Sequence, residues 1–302
     1  MSEAQILAKK KTRFNHIYVL QHGDIREMWF KGGKEFFLQS RIDITRPRSL
    51  IMIYSHLMMA SLLIQPRPRR VLVIGLGGAL FPNFLTRLYP EIEIDIVEID
   101  PQVIALSKKY FFFRETPRCR VYGQDGRVFI QKRIGRQAYD LVLLDAFKSG
   151  SVPFHLKTLQ FYNEIGRLLA PGGVVASNLY GKSNSLKPHD LRTFTGVFRQ
   201  VYLFEDPERI ATALIAGNGE QKMSSGDFIA AAETWTAPRP CCLSMQEIAA
   251  MYRDDDFAES PGFVFKDDFT QTGFLKSVEE NNLDISRPRP YAIMNAHPED
   301  AE

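Results

Sequence analysis

The chain has 302 residues, 45% of them hydrophobic, and carries 38 Lys and Arg against 35 Asp and Glu for a formal charge of +3. That apolar share can bury a full core, so one large domain with a small appendage is expected, and a charge so close to balance gives no electrostatic case for nucleic acid. The first residues, MSEAQILAKKKTRF, have no apolar stretch after their charges, and the longest apolar run, Leu50 to Ile64, is broken by Tyr54, Ser55, His56 and Ser61, so neither a signal peptide nor a membrane span is expected.

Residues 1–13 read as a mobile N-terminus. From residue 14 to 48 the runs HIYVLQH, IREMWFK and KEFFLQSRIDI are rich in β-branched and aromatic residues and are parted by Gly23 and Gly32-Gly33. They predict a small antiparallel β domain of two hairpins. Arg46-Pro47-Arg48-Ser49 reads as a turn, with Ser49 capping a helix from Leu50 to Leu63 that Pro66 and Pro68 close.

Residues 49–217 form the main unit. A buried strand (Val71 to Ile74), a glycine turn (Gly75, Gly77, Gly78), a helix (Ala79 to Leu88) and a strand (Ile94 to Ile99) make one mononucleotide-binding βαβ half. A helix starting at Pro101, a strand from Arg120 to Tyr122 and a helix from Gly126 to about Lys132 follow. Then come the apolar strand AYDLVLLDAF, a helix from about His155 to Leu169, a stop at Ala170-Pro171-Gly172-Gly173 and the strand VVASNLY. A helix over Lys187 to Arg199 precedes the runs VYLFED and IATALIAG, close enough to pair as a hairpin. The prediction is an α/β, Rossmann-like sheet, mostly parallel with an antiparallel last strand. That ending resembles the sheet of class I S-adenosylmethionine-dependent methyltransferases rather than the double βαβ of a nicotinamide dehydrogenase. Residues 218–285 read as a helical and loop extension on this unit, and 286–302 as a disordered tail.

Ligands of an open α/β sheet sit outside the carboxyl ends of its strands. Four features fall there in order: the turn Gly75 to Gly78, Glu98 with Asp100, Asp125 with Gly126, and Asp145. Glycines let the backbone approach a nucleoside, and a carboxylate about 20 residues further on can accept from both ribose hydroxyls. Asp100 and Asp125 can equally be helix N-caps, and Asp145 a turn residue. At the end of the apolar run Leu141 to Leu144, partial burial would raise the Asp145 pKa and suit it to accept a proton. Cys119, Cys241 and Cys242 have no CxxC spacing, which fits a reducing cytoplasm and argues against a structural zinc.

The segments VLVIGLGG, VEIDPQVI, GQDGRVFI, YDLVLLDAF and FYNEIGRLLAPGGV together resemble the spermidine synthase (polyamine aminopropyltransferase) family, and its looser bacterial branch in particular. The resemblance covers about residues 16 to 275. It implies a cytoplasmic transferase that moves an aminopropyl group from decarboxylated S-adenosylmethionine to a small-molecule amine and releases methylthioadenosine, without a metal. Glu98 would hold the ribose, Asp125 the adenine amino group, and the glycine turn would lie beneath the sulfonium. Asp145, matching the first aspartate of the DSSDP-type motif, would take the proton of the attacking amine. A homodimer paired through the N-terminal sheet is a further implication.

Two departures stand out. The family's turn usually reads GGGDGG, and Gly78 occupies the place of its aspartate; Lys148 replaces the second aspartate of DSSDP. Acids that could compensate are Glu27, Glu35, Asp43, Asp267 and Asp268. Gln39, Tyr54, Lys148, His155 and Tyr162 are candidate second-substrate contacts, each with a structural alternative: Lys148 facing solvent, His155 starting a helix, Tyr162 packing. Losing the acid at Gly78 also keeps open a methyltransferase using intact S-adenosylmethionine, and a non-catalytic nucleoside-binding homologue.

Overall fold

The computed structural model describes residues 4–148, 151–179, 186–254 and 262–267. Four strands, β1 (Gln5–Lys11), β2 (His16–His22), β3 (Ile25–Gly32) and β4 (Glu35–Asp43), form an antiparallel sheet in chain order. One difference from expectation lies at its start. The segment read as mobile is strand β1, paired along β2 from Gln5↔Gln21 to Lys11↔His16. Its outward lysines hid the strand pattern, and charge on an edge strand is a device against unwanted pairing. One face of the sheet, with Ile17, Val19, Met28, Phe30 and Ile42, enters the main core, while Tyr18, Leu20 and Trp29 cluster on the other.

The expected helix from Leu50 to Leu63 is instead two short ones, α1 (Ile53–Met58) and α2 (Ser61–Ile64), and Ser49 caps neither. The Ser55 and Ser61 hydroxyls donate back to the carbonyls of Met52 and Met58, local bonds that compete with a continuous helix.

The second sheet contains β5 (Arg70–Ile74), β6 (Glu93–Glu98), β7 (Cys119–Gly123), β8 (Tyr139–Leu144), β9 (Leu169–Asn178), β10 (Gln200–Glu205), β11 (Thr212–Gly217) and β12 (Tyr252–Arg253). Their order is β12-β10-β11-β9-β8-β5-β6-β7. Strands β7, β6, β5, β8 and β9 are parallel neighbours, and β11 enters antiparallel to both β9 and β10. A sheet buried on both faces needs apolar residues at every position, and Val71, Leu72, Val73 and Leu141, Val142, Leu143 are fully buried. One face is covered by the helices α1, α2, α3 (Leu80–Leu88), α4 (Pro101–Tyr110), α8 (Ser225–Thr234) and α9 (Met245–Ala250). The other is covered by α5 (Gly126–Gln131), α6 (Leu159–Gly166) and α7 (Lys187–Thr195).

Three boundaries differ. His155 lies in a 3-10 turn, Phe154–Leu156, and α6 starts later, where the Thr158 hydroxyl accepts from the Phe161 N–H. Ala170-Pro171-Gly172-Gly173 does not stop the chain but lies within β9 as an irregularity, with the register shifting between the partners of Tyr139 and Leu141. Within the extension read as helices and loops, Tyr252–Arg253 form the short strand β12, whose Arg253 pairs with Leu203 of β10. The expected tail 286–302 lies outside the described residues, and no helix among those described is long and apolar enough to cross a membrane.

Candidate active site at the carboxyl edge of the sheet

The turn after β5 is built for close approach. Gly75 has φ of +98°, and a Cβ there would stand 2.4 Å from the Asp145 carbonyl oxygen, so glycine lets the ends of β5 and β8 abut. Gly77 also has a left-handed φ of +50°. The contact with β8 sets Asp145 beside the turn, helped by its own N–H donating to the Ile74 carbonyl at 2.9 Å.

Asp145 is half-buried where its apolar strand ends. Its Oδ1 accepts from Asn178 Nδ2 at 3.0 Å, and its Oδ2 from the Tyr54 hydroxyl at 3.2 Å. Burial pushes its pKa up to about 7, and the two hydrogen bonds hold it from rising further. Both donors come from elsewhere in the chain: Tyr54 from α1, stacked edge-on against Phe81, and Asn178 from the end of β9. Asn178 was not foreseen. Its place at the end of the strand next to β8 is the one sequence signal that could have found it.

Glu98 ends β6, with one oxygen accepting from the Leu76 N–H at 3.0 Å and the other from the Asp100 N–H at 2.9 Å. Burial raises its pKa and these backbone donors oppose the rise. Each oxygen keeps a further acceptor site, enough for the two hydroxyls of a ribose. The companion reading of Asp100 as a ligand residue is corrected. Its fully buried side chain caps α4 through the Gln102 N–H and accepts from Thr12 and Asn15 at 2.7 and 3.1 Å, which pins the N-terminal segment to the sheet.

Asp125 is the N-cap of α5, accepting from the N–H groups of Arg127 and Val128 on Oδ1, while Oδ2 lies 2.7 Å from His155 Nε2. The His155 contact holds the Asp125 pKa below the usual carboxylate range despite partial burial. Gly126 serves packing, since a Cβ there would be 2.7 Å from Ile74 Cγ2. The same corner carries an ion network that sequence reading missed. Arg127 reaches both Glu164 and Asp267, with contacts of 2.8 to 2.9 Å, and Asp267 also accepts from the Thr158 hydroxyl at 2.7 Å. That network fastens residues 262–267 over α6.

The remaining candidates scatter. Gln39 turns back to the Phe37 carbonyl, though its own carbonyl borders Gly77. Tyr162 is a core residue, 1% exposed and packed 4.2 Å from Phe194, so its second-substrate role is withdrawn. Lys148 is exposed, and its backbone bridges to Ser151. Of the compensating acids, Glu27 is engaged by Arg41 and Trp29, Asp43 by Thr45 and Arg46, and Asp267 by Arg127. Glu35 pairs with Gly32 at the start of β4, and Asp268 lies outside the described residues.

Gly78 has a definite reason to be glycine. Its N–H donates to Ser40 Oγ at 2.7 Å, and a Cβ would stand 2.7 Å from Ser40 Cβ and 2.8 Å from Phe111 Cδ1. The space an acid would need at this turn is filled by β4 and the end of α4. No group of three or more metal-ligating side chains occurs among the described residues.

A family model, the spermine/spermidine synthase domain, matches residues 52–206. A polyamine aminopropyltransferase of Vibrio vulnificus is 36% identical over 218 residues, 71% of this chain and 72% of that relative. The human eEF1A lysine and N-terminal methyltransferase is 27% identical over 177 residues, 55% of this chain but 25% of that protein. Among solved structures, a probable spermidine synthase from Corynebacterium glutamicum superposes with a TM-score of 0.68 at 19% identity, covering 88% of this chain and 98% of its own, a likeness of fold.

Proposed function

The chain belongs to the spermine/spermidine synthase family, and on that footing we propose that it transfers an aminopropyl group from decarboxylated S-adenosylmethionine to a small amine. The observation that carries this reading is Asp145, a half-buried carboxylate with a pKa of about 7 held beside the glycine turn by Tyr54 and Asn178. A base poised near the working pH transfers protons best.

The amine must be neutral to attack the methylene beside the sulfonium. As the C–N bond forms, the C–S bond breaks and its electron pair stays on sulfur, leaving methylthioadenosine. The proton lost by the amine passes to Asp145. Glu98 takes the ribose hydroxyls on its free acceptor sites, and the Gly75 to Gly78 backbone borders the sulfonium end. Asp125 takes the adenine amino group, with His155 shifting to make room on Oδ2. Incubation with the decarboxylated donor and a panel of mono-, di- and triamines should release methylthioadenosine, and Asp145→Asn should cut that release by roughly a hundredfold or more. A folded wild-type preparation that releases none with any amine overturns the reading.

Gly78 favours a second reading, a methyltransferase using the intact donor. With Ser40 and Phe111 filling the turn, no carboxylate at position 78 selects for the donor's amine or repels its carboxylate. Calorimetry separates the two: tighter binding of methylthioadenosine supports aminopropyl transfer, and tighter binding of S-adenosylhomocysteine supports methyl transfer.

A further inference from the structure

At the end of α3 away from the glycine turn lies a pocket of about 150 Å³. Leu50, Phe84 and Leu88 give it an apolar wall, Cys241 and Cys242 line it from the loop ahead of α9, and Arg48 and Arg87 are also part of its lining. Both arginines are exposed, and among the described residues neither side chain has a hydrogen bond or ion pair. No carboxylate is among the lining residues. Two uncompensated positive charges in the lining of an apolar recess fit an anion with a short carbon body, and the two thiols add a nucleophile. Cys119, the third cysteine, is buried in the core.

From this arrangement we propose that the pocket binds small carboxylate-bearing disulfides and that Cys242 exchanges with them. The sulfur of Cys242, an exposed residue, attacks the nearer disulfide sulfur as thiolate. The new S–S bond forms as the old one breaks, the leaving thiolate departs with the electron pair, and the Cys242 proton goes to solvent. The disulfide is the oxidant, so the exchange is balanced within the pair. Arg48 and Arg87 hold the carboxylate and raise the local concentration of the reagent. The mixed disulfide persists because Cys241 is a poor resolving thiol. Neighbouring Cα atoms are about 3.8 Å apart, shorter than the usual span of a disulfide, so closing a bridge between adjacent cysteines is strained.

The test uses the full chain and three disulfides of matched length: dithiodipropionate (anionic), bis(2-hydroxyethyl) disulfide (neutral) and cystamine (cationic). Adducts are followed by intact-mass and peptide mass spectrometry, and each rate is divided by that with a small free thiol. The expected result is an adduct on Cys242 that forms about tenfold faster with the anionic reagent than with the neutral one, with the cationic reagent slowest. Arg48→Gln/Arg87→Gln should bring the ratio near one, and so should raised salt acting on the unmodified chain. Equal normalised rates for the three reagents in the wild type, a ratio unmoved by both the substitutions and salt, or an adduct that maps to Cys241 or Cys119, overturns the proposal.

Discussion

Tyr54 and Asp145 lie 91 positions apart in the chain, and the phenol of one donates to the carboxylate of the other at 3.2 Å. The bond ties α1 to the end of β8 and, with Asn178, sets how far burial can raise the pKa of the carboxylate. Removing either donor leaves the desolvation in place and takes away an opposing effect. Tyr54→Phe and Asn178→Ala should each move the acidic limb of the rate profile up by about 0.5–1 pH unit, the equivalent of one lost hydrogen bond. Profiles that superpose on the wild type would show that neither bond acts on the reacting carboxylate.

The base must be ionised to take a proton, so activity should fall tenfold per pH unit below about 7, where Asp145 is half protonated. Asp145→Asn should reduce methylthioadenosine release by roughly 10²–10⁴-fold while nucleoside binding survives. The effect on stability has the opposite sign. A carboxyl whose folded pKa lies above its unfolded value stabilises the fold at low pH, and that contribution is lost as the pH rises through about 7. Asp145→Asn should therefore be more stable than the wild type at pH 8, by roughly 1–4 kcal/mol, and less so at pH 4. Denaturant titrations at the two pH values give the comparison; an equal difference at both would refute it.

Restoring an acid to the turn should fail on steric grounds. Gly78→Asp places its Cβ against Ser40 and Phe111, at a cost of about 1–3 kcal/mol for overpacking in a close-packed site. Adding Ser40→Gly should recover part of the loss by freeing one of the two obstructions. A thermal midpoint for Gly78→Asp equal to the wild type would contradict the geometry.

Lys157 and Asp190, 2% and 1% exposed, form an ion pair of 2.9 Å beneath Phe265. Burial raises the Asp190 pKa and Lys157 counters it. Lys157→Met should cost about 3–5 kcal/mol at pH 7, because it strands a buried charge, and less at low pH where Asp190 takes a proton. The double variant Lys157→Met/Asp190→Leu should lose much less than the sum of the single losses, a double-mutant cycle that additive costs would defeat.

What sequence could reach followed from period and position. The positions of Glu98, Asp125 and Asp145 were legible because each stands at or just past the carboxyl end of a parallel strand, the edge where such sheets take their ligands. The antiparallel entry of β11 was legible from the short link between Glu205 and Thr212. Harder to read were features made by partners distant in the chain. Asn178 resembles any strand terminus until β9 is known to lie beside β8. Asp100 as the N-cap of α4 was readable from the Pro101 that follows it, but its bonds to Thr12 and Asn15, just past a strand hidden by its lysines, were not. Arg127 sits on an ordinary helix surface until Glu164 and Asp267 close around it, and Ser40 gains meaning only when β4 meets the glycine turn. The break in the helix after Leu50 came from two serine hydroxyls bonding locally, an effect that a hydrophobic period does not register.

The meeting of Ser40, Phe111 and Gly78 bears on evolvability as well as on chemistry. Any side chain introduced at position 78 alone collides with two separate elements, β4 and the end of α4, so an acid fits there only when both neighbours change with it. The turn is thereby buffered against single substitutions, and a change of amine or donor is more accessible through residues outside it.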